Sequence, residues 1–270
     1  MSKIKKIFRR LFRRSVVVKA QIAMTDASQK LKDKCIVITG GSGVIGKTMA
    51  KRFVAEGARV LICGRNEKSL MEARTEIGCE SSILDLTKVV TFEAFLDKSI
   101  EKLGRIDCLI NNAAVSLHES FQTVTPDGFD KQINTNFRGP FFLSQKVLAY
   151  MKENNVRGQV LFISSETGET ADIRPYGLTK AAINSLVQGL AYLYAKEGIR
   201  INAIAPGVTA SEMTGINKDN LYYPKNLNGR TYLPEEVAEV AVFLLSDASG
   251  CISGQIITCN NGKTINVRWK

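Results

Sequence analysis

Cys35-Ile36-Val37-Ile38-Thr39-Gly40-Gly41-Ser42-Gly43-Val44-Ile45-Gly46 is the stretch that decides the fold. Four apolar residues in succession suit a short strand buried on both faces, as in a parallel sheet. The glycine cluster behind them suits a tight turn into a helix beginning near Val44. In that setting glycine lets a pyrophosphate approach the backbone and lets the helix sit close to the sheet. The free N–H groups of the helix start then face the phosphates. Gly40, Ser42, Gly43, Val44, Ile45 and Gly46 are the residues expected to line such a site.

Outward from this stretch the same alternation continues. Apolar runs predict strands over 60–63, 82–84, 106–110, 159–163, 200–204 and 256–258. Helical spacing predicts helices over 44–56, 66–78, 88–103, 127–153, 176–197 and 234–245. Strands alternating with helices imply an α/β fold, a doubly wound parallel sheet covered on both faces, as one Rossmann-like domain over 34–270. Ligands of such sheets bind beyond the carboxyl ends of the strands, which brings together the loops after Ile38, Ile110, Ile163 and Ile204. The irregular polar stretch 208–233 reads as a lid over the substrate.

Length and composition agree with one globular domain. The chain has 270 residues, 44% hydrophobic and 23% charged, and no apolar run approaches the roughly 20 residues that span a bilayer. Its net charge of +11 is concentrated in residues 1–19, where Lys3, Lys5, Lys6, Arg9, Arg10, Arg13, Arg14 and Lys19 meet no acid; the remainder carries +3. Ile4, Ile7, Phe8, Leu11 and Phe12 recur there at helical spacing between the cations. That is a basic amphipathic helix suited to peripheral contact with an anionic membrane surface. A solubilising tail, an RNA-binding tail and an organelle-targeting segment remain open, with nucleic acid the least expected partner. Residues 20–33 read as a polar connector, so 1–33 lie outside the domain. The six cysteines contain no Cys-x-x-Cys pair and read as buried free thiols in a reducing compartment, which points to the cytoplasm.

Tyr176 and Lys180 stand four residues apart and so share a helix face. An ammonium beside a phenol would lower the tyrosine pKa from its free value of about 10, making a proton donor and acceptor for a carbonyl or alcohol. The second strand ends in Cys63-Gly64-Arg65-Asn66, with no acid at the first two loop positions. Arg65 favours NADP by offering a cation to a ribose 2′-phosphate, while NAD remains open. Asp85 with Leu86, at the end of the third strand, would border the adenine side.

Thr39-Gly40…Gly46, Asn111-Asn112-Ala113-Ala114, Asn136 within 134–139, Ser164-Ser165, Tyr176-x-x-x-Lys180 and Pro206-Gly207 stand in the order found in short-chain dehydrogenases/reductases, and the chain resembles the single-domain branch of that family over about residues 34–262. The resemblance implies a nicotinamide-dependent oxidoreductase moving a hydride between cofactor and a carbonyl or secondary alcohol. It implies Tyr176 as acid/base, and Lys180 as holder of the nicotinamide ribose and tuner of the tyrosine. Ser165, or Ser164 in its place, would hydrogen-bond the reacting oxygen. Asn136 would hold a water in the proton relay. Asn112, Ala113, Pro206, Gly207, Val208 and Ser211 would contact or support the cofactor. Pairing through the Tyr176 helix and the helix before it implies a homodimer or homotetramer.

Two departures stand out. The branch usually reads Thr-Gly-x-x-x-Gly-x-Gly, and here Val44 takes the place of the second motif glycine, giving the spacing Gly40-x-x-Gly43-x-x-Gly46. A β-branched residue resists positive φ, so Gly41 and Gly43 are expected to shape the turn. The closing motif is Cys259-Asn260-Asn261-Gly262, a mild change because Asn tolerates left-handed backbone. Glu212, Asn217, Lys218, Tyr222, Tyr223, Lys225, Asn226, Asn228 and Arg230 in the lid, with Glu166, Glu169, Asp172 and Arg174 before the tyrosine, suggest a polar, sugar-like substrate. His118, the single histidine, would sit at the cleft mouth. The alternative reading is a non-catalytic dinucleotide-binding scaffold or sensor on the same fold.

Overall fold

The computed structural model describes residues 17–19, 28–211, 214–216 and 219–266. The basic cluster from Lys3 to Arg14 and the lid residues Glu212, Asn217 and Lys218 lie outside the described residues. Seven strands are present: β1 Cys35–Thr39, β2 Arg59–Gly64, β3 Glu80–Ile83, β4 Cys108–Asn111, β5 Gln159–Ile163, β6 Arg200–Pro206 and β7 Ile256–Cys259. The α-helices are α1 Val44–Ala55, α2 Glu67–Ile77, α3 Phe92–Leu103, α4 Pro126–Ile133, α5 Gly139–Glu153, α6 Pro175–Leu193 and α7 Pro234–Leu245. The strands form one sheet in the order β3-β2-β1-β4-β5-β6-β7, every neighbouring pair parallel.

Every residue of β1, β4 and β5 is buried, because helices cover both faces. Side chains alternate across a strand. Cys35 and Val37 face one core with Phe92, Leu143, Met151 and Ile183. Ile36 and Ile38 face a second core with Met49, Phe53, Leu70 and Val242. Thus α3, α5 and α6 cover one face of the sheet, and α1, α2 and α7 the other. The chain order reverses between β1 and β4, opening the crevice at their carboxyl ends.

Local chemistry sets the helix ends. Asn66 caps α2 by accepting from the Ser69 N–H at 2.9 Å, and Gly78 ends it at φ 74°. Pro175 starts α6 at a position where its missing N–H costs nothing. The expected helix over 127–153 is divided: residues Asn134–Arg138 form a π-helical turn between α4 and α5. Pro140 explains the break. It has no N–H for the carbonyl of Asn136 four residues back, so the i→i−4 ladder cannot continue there.

The six cysteines are unpaired, but they are not uniformly buried. Cys35, Cys63 and Cys108 are buried in strands, Cys79 and Cys259 are half-buried, and Cys251 is exposed. No helix among the described residues is long and apolar enough to cross a membrane.

The segment 208–232 is held by a short series of backbone bonds. The Tyr232 N–H donates to Val208 O at 2.9 Å, and the Thr231 N–H to Leu221 O at 2.8 Å. The Leu221 N–H then donates to Val18 O at 3.0 Å, and the Val18 N–H to Asn220 Oδ1 at 3.3 Å. Residues 17–19 therefore lie against Asn220 and Leu221.

Candidate active site

The loops after β1, β2, β4, β5 and β6 enclose a cleft of about 1360 Å³. That exceeds the roughly 300–1,000 Å³ usual for one small ligand and suits a dinucleotide with a second molecule. Gly40, Ser42, Gly43, Val44, Ile45, Gly46, Arg65, Asp85, Leu86, Asn112, Ala113, Ser165, Tyr176, Lys180, Pro206, Gly207, Val208 and Ser211 all line it. Of the catalytic and cofactor residues proposed from sequence, Asn136 does not reach its surface, and of the described polar lid residues Tyr223 does while Tyr222, Lys225, Asn226, Asn228 and Arg230 do not.

The glycine turn differs from the expectation in which residue does what. Gly40 is the position with left-handed backbone, at φ 65°, whereas Gly43 is extended at φ −76°, ψ 163°. Gly41 is needed for space: a Cβ there would lie 2.4 Å from Ile62 Cβ. At Gly46 a Cβ would meet the Gly40 carbonyl oxygen at 2.4 Å. Val44 opens α1 with helical backbone, so its β-branch causes no conflict. No side chain caps the N-terminus of α1, whose first residues line the cleft. Uncapped N–H groups beside a backbone with no room for Cβ atoms fit a pyrophosphate.

Thr39 ties this turn to the loop after β4. Its hydroxyl donates to Ile110 O at 3.2 Å and accepts from the N–H groups of Asn112 at 3.0 Å and Ala113 at 3.1 Å. The Asn112 amide in turn donates to the carbonyls of Thr39 at 2.9 Å and Gly40 at 3.1 Å. Asn112 thus shapes the turn. Just after β3, Asp85 accepts from the Thr87 N–H at 2.9 Å and its hydroxyl at 2.8 Å. Burial alone would raise the Asp85 pKa; the two Thr87 bonds, with Arg65 and Lys88 nearby, outweigh it and hold the carboxyl below its usual value.

At the other end, Ser165 and Tyr176 interact through their hydroxyls. Ser164 faces away: its buried hydroxyl donates to Asn184 Oδ1 at 2.6 Å and lies 3.4 Å from Lys180 O. The choice between the two serines therefore falls on Ser165. The Ser165 oxygen accepts from the Thr167 hydroxyl at 3.1 Å and its N–H at 3.3 Å, leaving its own proton to give. Thr167 was not anticipated; the Ser-x-Thr spacing of a side-chain turn was the available signal.

Lys180 is 3% exposed, and its Nζ donates to Ile163 O at 2.7 Å while standing 5.4 Å from the centre of the Tyr176 ring. Burial pushes the lysine down to about 8. Tyr176 does not show the lowering expected from its neighbour. Burial dominates and raises its pKa, against smaller lowering by the Ser165 hydrogen bond and the Arg174 cation. The lysine points its charge at a backbone carbonyl, which accounts for the difference.

Asn136 lies behind this group. Its Oδ1 accepts from the Val115 N–H and its Nδ2 donates to Val115 O, both at 2.8 Å. The side chain is thereby committed to fixing the loop after β4, and its main-chain carbonyl is the one Pro140 leaves without a helical donor. His118 lines the cleft at φ 55°. Of the four polar residues before the tyrosine, Glu166 and Arg174 line the cleft; Glu169 instead accepts from Asn184 at 2.5 Å, and Asp172 pairs with Arg174 at 2.5 Å. Asn261, in the closing motif, takes φ 53°, the left-handed backbone its identity permits.

Comparison with known proteins gives a consistent result. The family model described as enoyl-(acyl carrier protein) reductase matches residues 41–264. The chain is 30% identical over 253 residues to L-rhamnose 1-dehydrogenase (NADP(+)) of Thermoplasma acidophilum, covering 88% of this chain and 98% of that one. It is 33% identical over 246 residues to gluconate 5-dehydrogenase of Gluconobacter oxydans, covering 86% and 94%. Among solved structures, 3-ketoacyl-(acyl-carrier-protein) reductase from Brucella melitensis, complexed with NADH, superposes with a TM-score of 0.81 at 27% identity, covering 87% and 100%.

Proposed function

The chain belongs to the short-chain dehydrogenase/reductase family, and from that premise we propose which residues carry its chemistry, which cofactor it prefers and what kind of substrate it takes. As a member, it is a nicotinamide-dependent oxidoreductase that transfers a hydride between cofactor and a carbonyl or secondary alcohol. The observation that carries the assignment of residues is the convergence of Ser165, Tyr176 and Lys180 on the same cleft as the uncapped start of α1.

The nicotinamide supplies or accepts the hydride. Tyr176 gives a proton to the carbonyl oxygen, or takes one from the alcohol. Ser165 donates its remaining O–H to the same oxygen, oriented by the two Thr167 bonds. Lys180, placed by the carbonyl of Ile163, would hold the nicotinamide ribose hydroxyls. Asn136 fixes the loop after β4 through Val115, and its main-chain carbonyl would seat a water passing protons toward Lys180. The start of α1 would hold the pyrophosphate, and Pro206, Gly207, Val208 and Ser211 would lie along the nicotinamide. Arg65 would meet a 2′-phosphate, which favours NADP over NAD; the NADP(+)-dependent rhamnose dehydrogenase supports that reading.

The substrate is a polar, sugar-like compound, in keeping with the rhamnose and gluconate dehydrogenases among the relatives. The catalytic unit runs over 34–270 with 208–233 as its lid. It assembles as a homodimer or homotetramer through α5 and α6, whose Phe141, Leu178, Tyr192 and Leu193 are exposed. The unpaired cysteines support a reducing compartment, and the basic residues 1–19 support peripheral contact with an anionic membrane. Comparing vesicle binding by the full chain with that of a chain lacking 1–19 tests the contact.

The test of the reaction is NADPH oxidation against a panel of carbonyl compounds that includes polar sugars. Tyr176→Phe should lower turnover by about 10²–10⁴-fold while cofactor affinity holds within about threefold. Undiminished turnover in that variant would sink the assignment. NADPH binding with no turnover of any panel compound favours the scaffold reading.

A further inference from the structure

Among the described residues, the cleft lining holds one buried acid that the reaction leaves unused. Glu166 directly follows Ser165, lines the cleft and is 7% exposed. A lone carboxylate at that burial is costly, and Glu166 is held by the far end of the chain. Its Oε1 accepts from Lys263 Nζ at 2.5 Å, and its Oε2 from Asn260 Nδ2 at 3.3 Å. The second bond is long for an N–H···O contact; the other hydrogen of the same Asn260 nitrogen goes to Thr264 Oγ1 at 3.0 Å. A carboxylate has about four acceptor sites. With two filled and one of those weakly, Glu166, a residue of the cleft lining, keeps acceptor capacity.

The charge around it selects among donors. Lys263 already neutralises Glu166, so a cationic substrate gains little there. Arg174, which also lines the cleft, has its charge balanced by Asp172 through two side-chain bonds of 2.9 and 2.5 Å, so an anionic substrate gains little net attraction there. What remains is an acceptor whose own charge is balanced by Lys263, in a half-enclosed site next to the proton donor pair. Resting on the reaction proposed above, we infer that Glu166 is a specificity-determining residue that receives hydroxyl groups neighbouring the reacting carbon, and that the substrate is an uncharged polyhydroxylated compound, a neutral sugar or polyol rather than a sugar acid. Lys263 and Asn260 are positioning residues that hold the carboxylate in place.

The experiment compares wild type, Glu166→Gln and Lys263→Met in NADP(+)-dependent oxidation of L-rhamnose and neutral alditols, with D-gluconate as the charged analogue and 2-butanol as the alcohol without neighbouring hydroxyls. Wild type should favour the neutral polyols over both comparators. In Glu166→Gln the ratio of kcat/KM for polyol to that for 2-butanol should fall at least tenfold, chiefly through KM. Lys263→Met should melt earlier and keep that ratio, because the carboxylate is still present. Equal losses on polyol and 2-butanol in Glu166→Gln, or a wild-type preference for gluconate or 2-butanol, would overturn the inference. Calorimetry of L-rhamnose and the alditols on the NADP(+) complex gives a reading independent of turnover. Polyol binding that weakens in Glu166→Gln, even with no turnover, would uphold the subsite and sink the reaction. Turnover of other alcohols with no polyol binding would do the reverse.

Discussion

Thr39→Val separates shape from hydrogen bonding at the hinge of the cofactor end. Valine fills the space of threonine, so what is lost is the hydroxyl and its three bonds, to Ile110 O, Asn112 N and Ala113 N. Each neutral bond contributes about 1 kcal/mol net, and an orphaned buried partner costs about 1–3 kcal/mol. The Ile110 bond is fully buried, while the other two are part-buried, where water can replace some of the loss. The sum is about 2–3 kcal/mol. For a chain of this size that lowers the melting temperature by about 4–12 °C. The loop after β4 and the glycine turn share these bonds, so part of the loss falls on cofactor binding; about 1.4 kcal/mol of it would weaken NADPH about tenfold. Urea denaturation and fluorescence titration with NADPH measure both quantities. Thr39→Ser is the control, since it keeps the bonds and loses a methyl worth about 0.8 kcal/mol. The reasoning fails if valine stays within about 0.5 kcal/mol of wild type, or if serine is the more damaging change.

Ser165→Ala should lower kcat by about two orders of magnitude with little change in stability, whereas Ser164→Ala should cost about 1–3 kcal/mol of stability, since it orphans the buried Asn184 amide oxygen, and spare the pH–rate profile. Swapped outcomes would reverse the assignment of the two serines. Arg65→Ala should weaken NADPH at least tenfold and leave NADH within about twofold, read from dissociation constants measured in the same buffer. Lys180 gives a pH dependence of known sign. Its pKa is depressed to about 8 in the folded chain and is about 10.4 unfolded, so between those values the unfolded state binds the extra proton and stability rises with pH. The rise totals roughly 3 kcal/mol at 1.36 kcal/mol per unit. Denaturation at pH 7.5 and 10.5 should show that gain in wild type and its absence in Lys180→Met; equal slopes would contradict it.

Much of this was legible because the sheet is parallel. Strands buried on both faces are apolar throughout, so Gln159–Ile163 was bounded as observed, and the rule for strand ends brought the right loops together. Local patterns succeeded where the cause is local, as with the helix expected over 234–245 and observed at Pro234–Leu245. They failed where the cause lies across the fold. Nothing near Gly41 says that Ile62 of the next strand occupies the space of its Cβ. Nothing near Ser164 says that Asn184 claims its hydroxyl. The tyrosine's upward shift depends on how deeply its ring is enclosed, which spacing does not encode. The break before α5 could have been anticipated from Pro140, but the apolar pattern runs through it and conceals it.

The short pairing of residues 17–19 with Asn220 and Leu221 bears on the order in which the molecule is completed. Val18 and Asn220 are 202 residues apart in the chain. Contacts of such separation close the longest loops and form late. The cofactor end, whose turn, second strand and Asn112 loop lie within the first 113 residues, can organise while its partners are still close in sequence. The pairing at Asn220 waits until residue 220 exists and residues 17–19 have come back to it. During synthesis Val18 is therefore made long before Asn220, the residue that accepts its N–H.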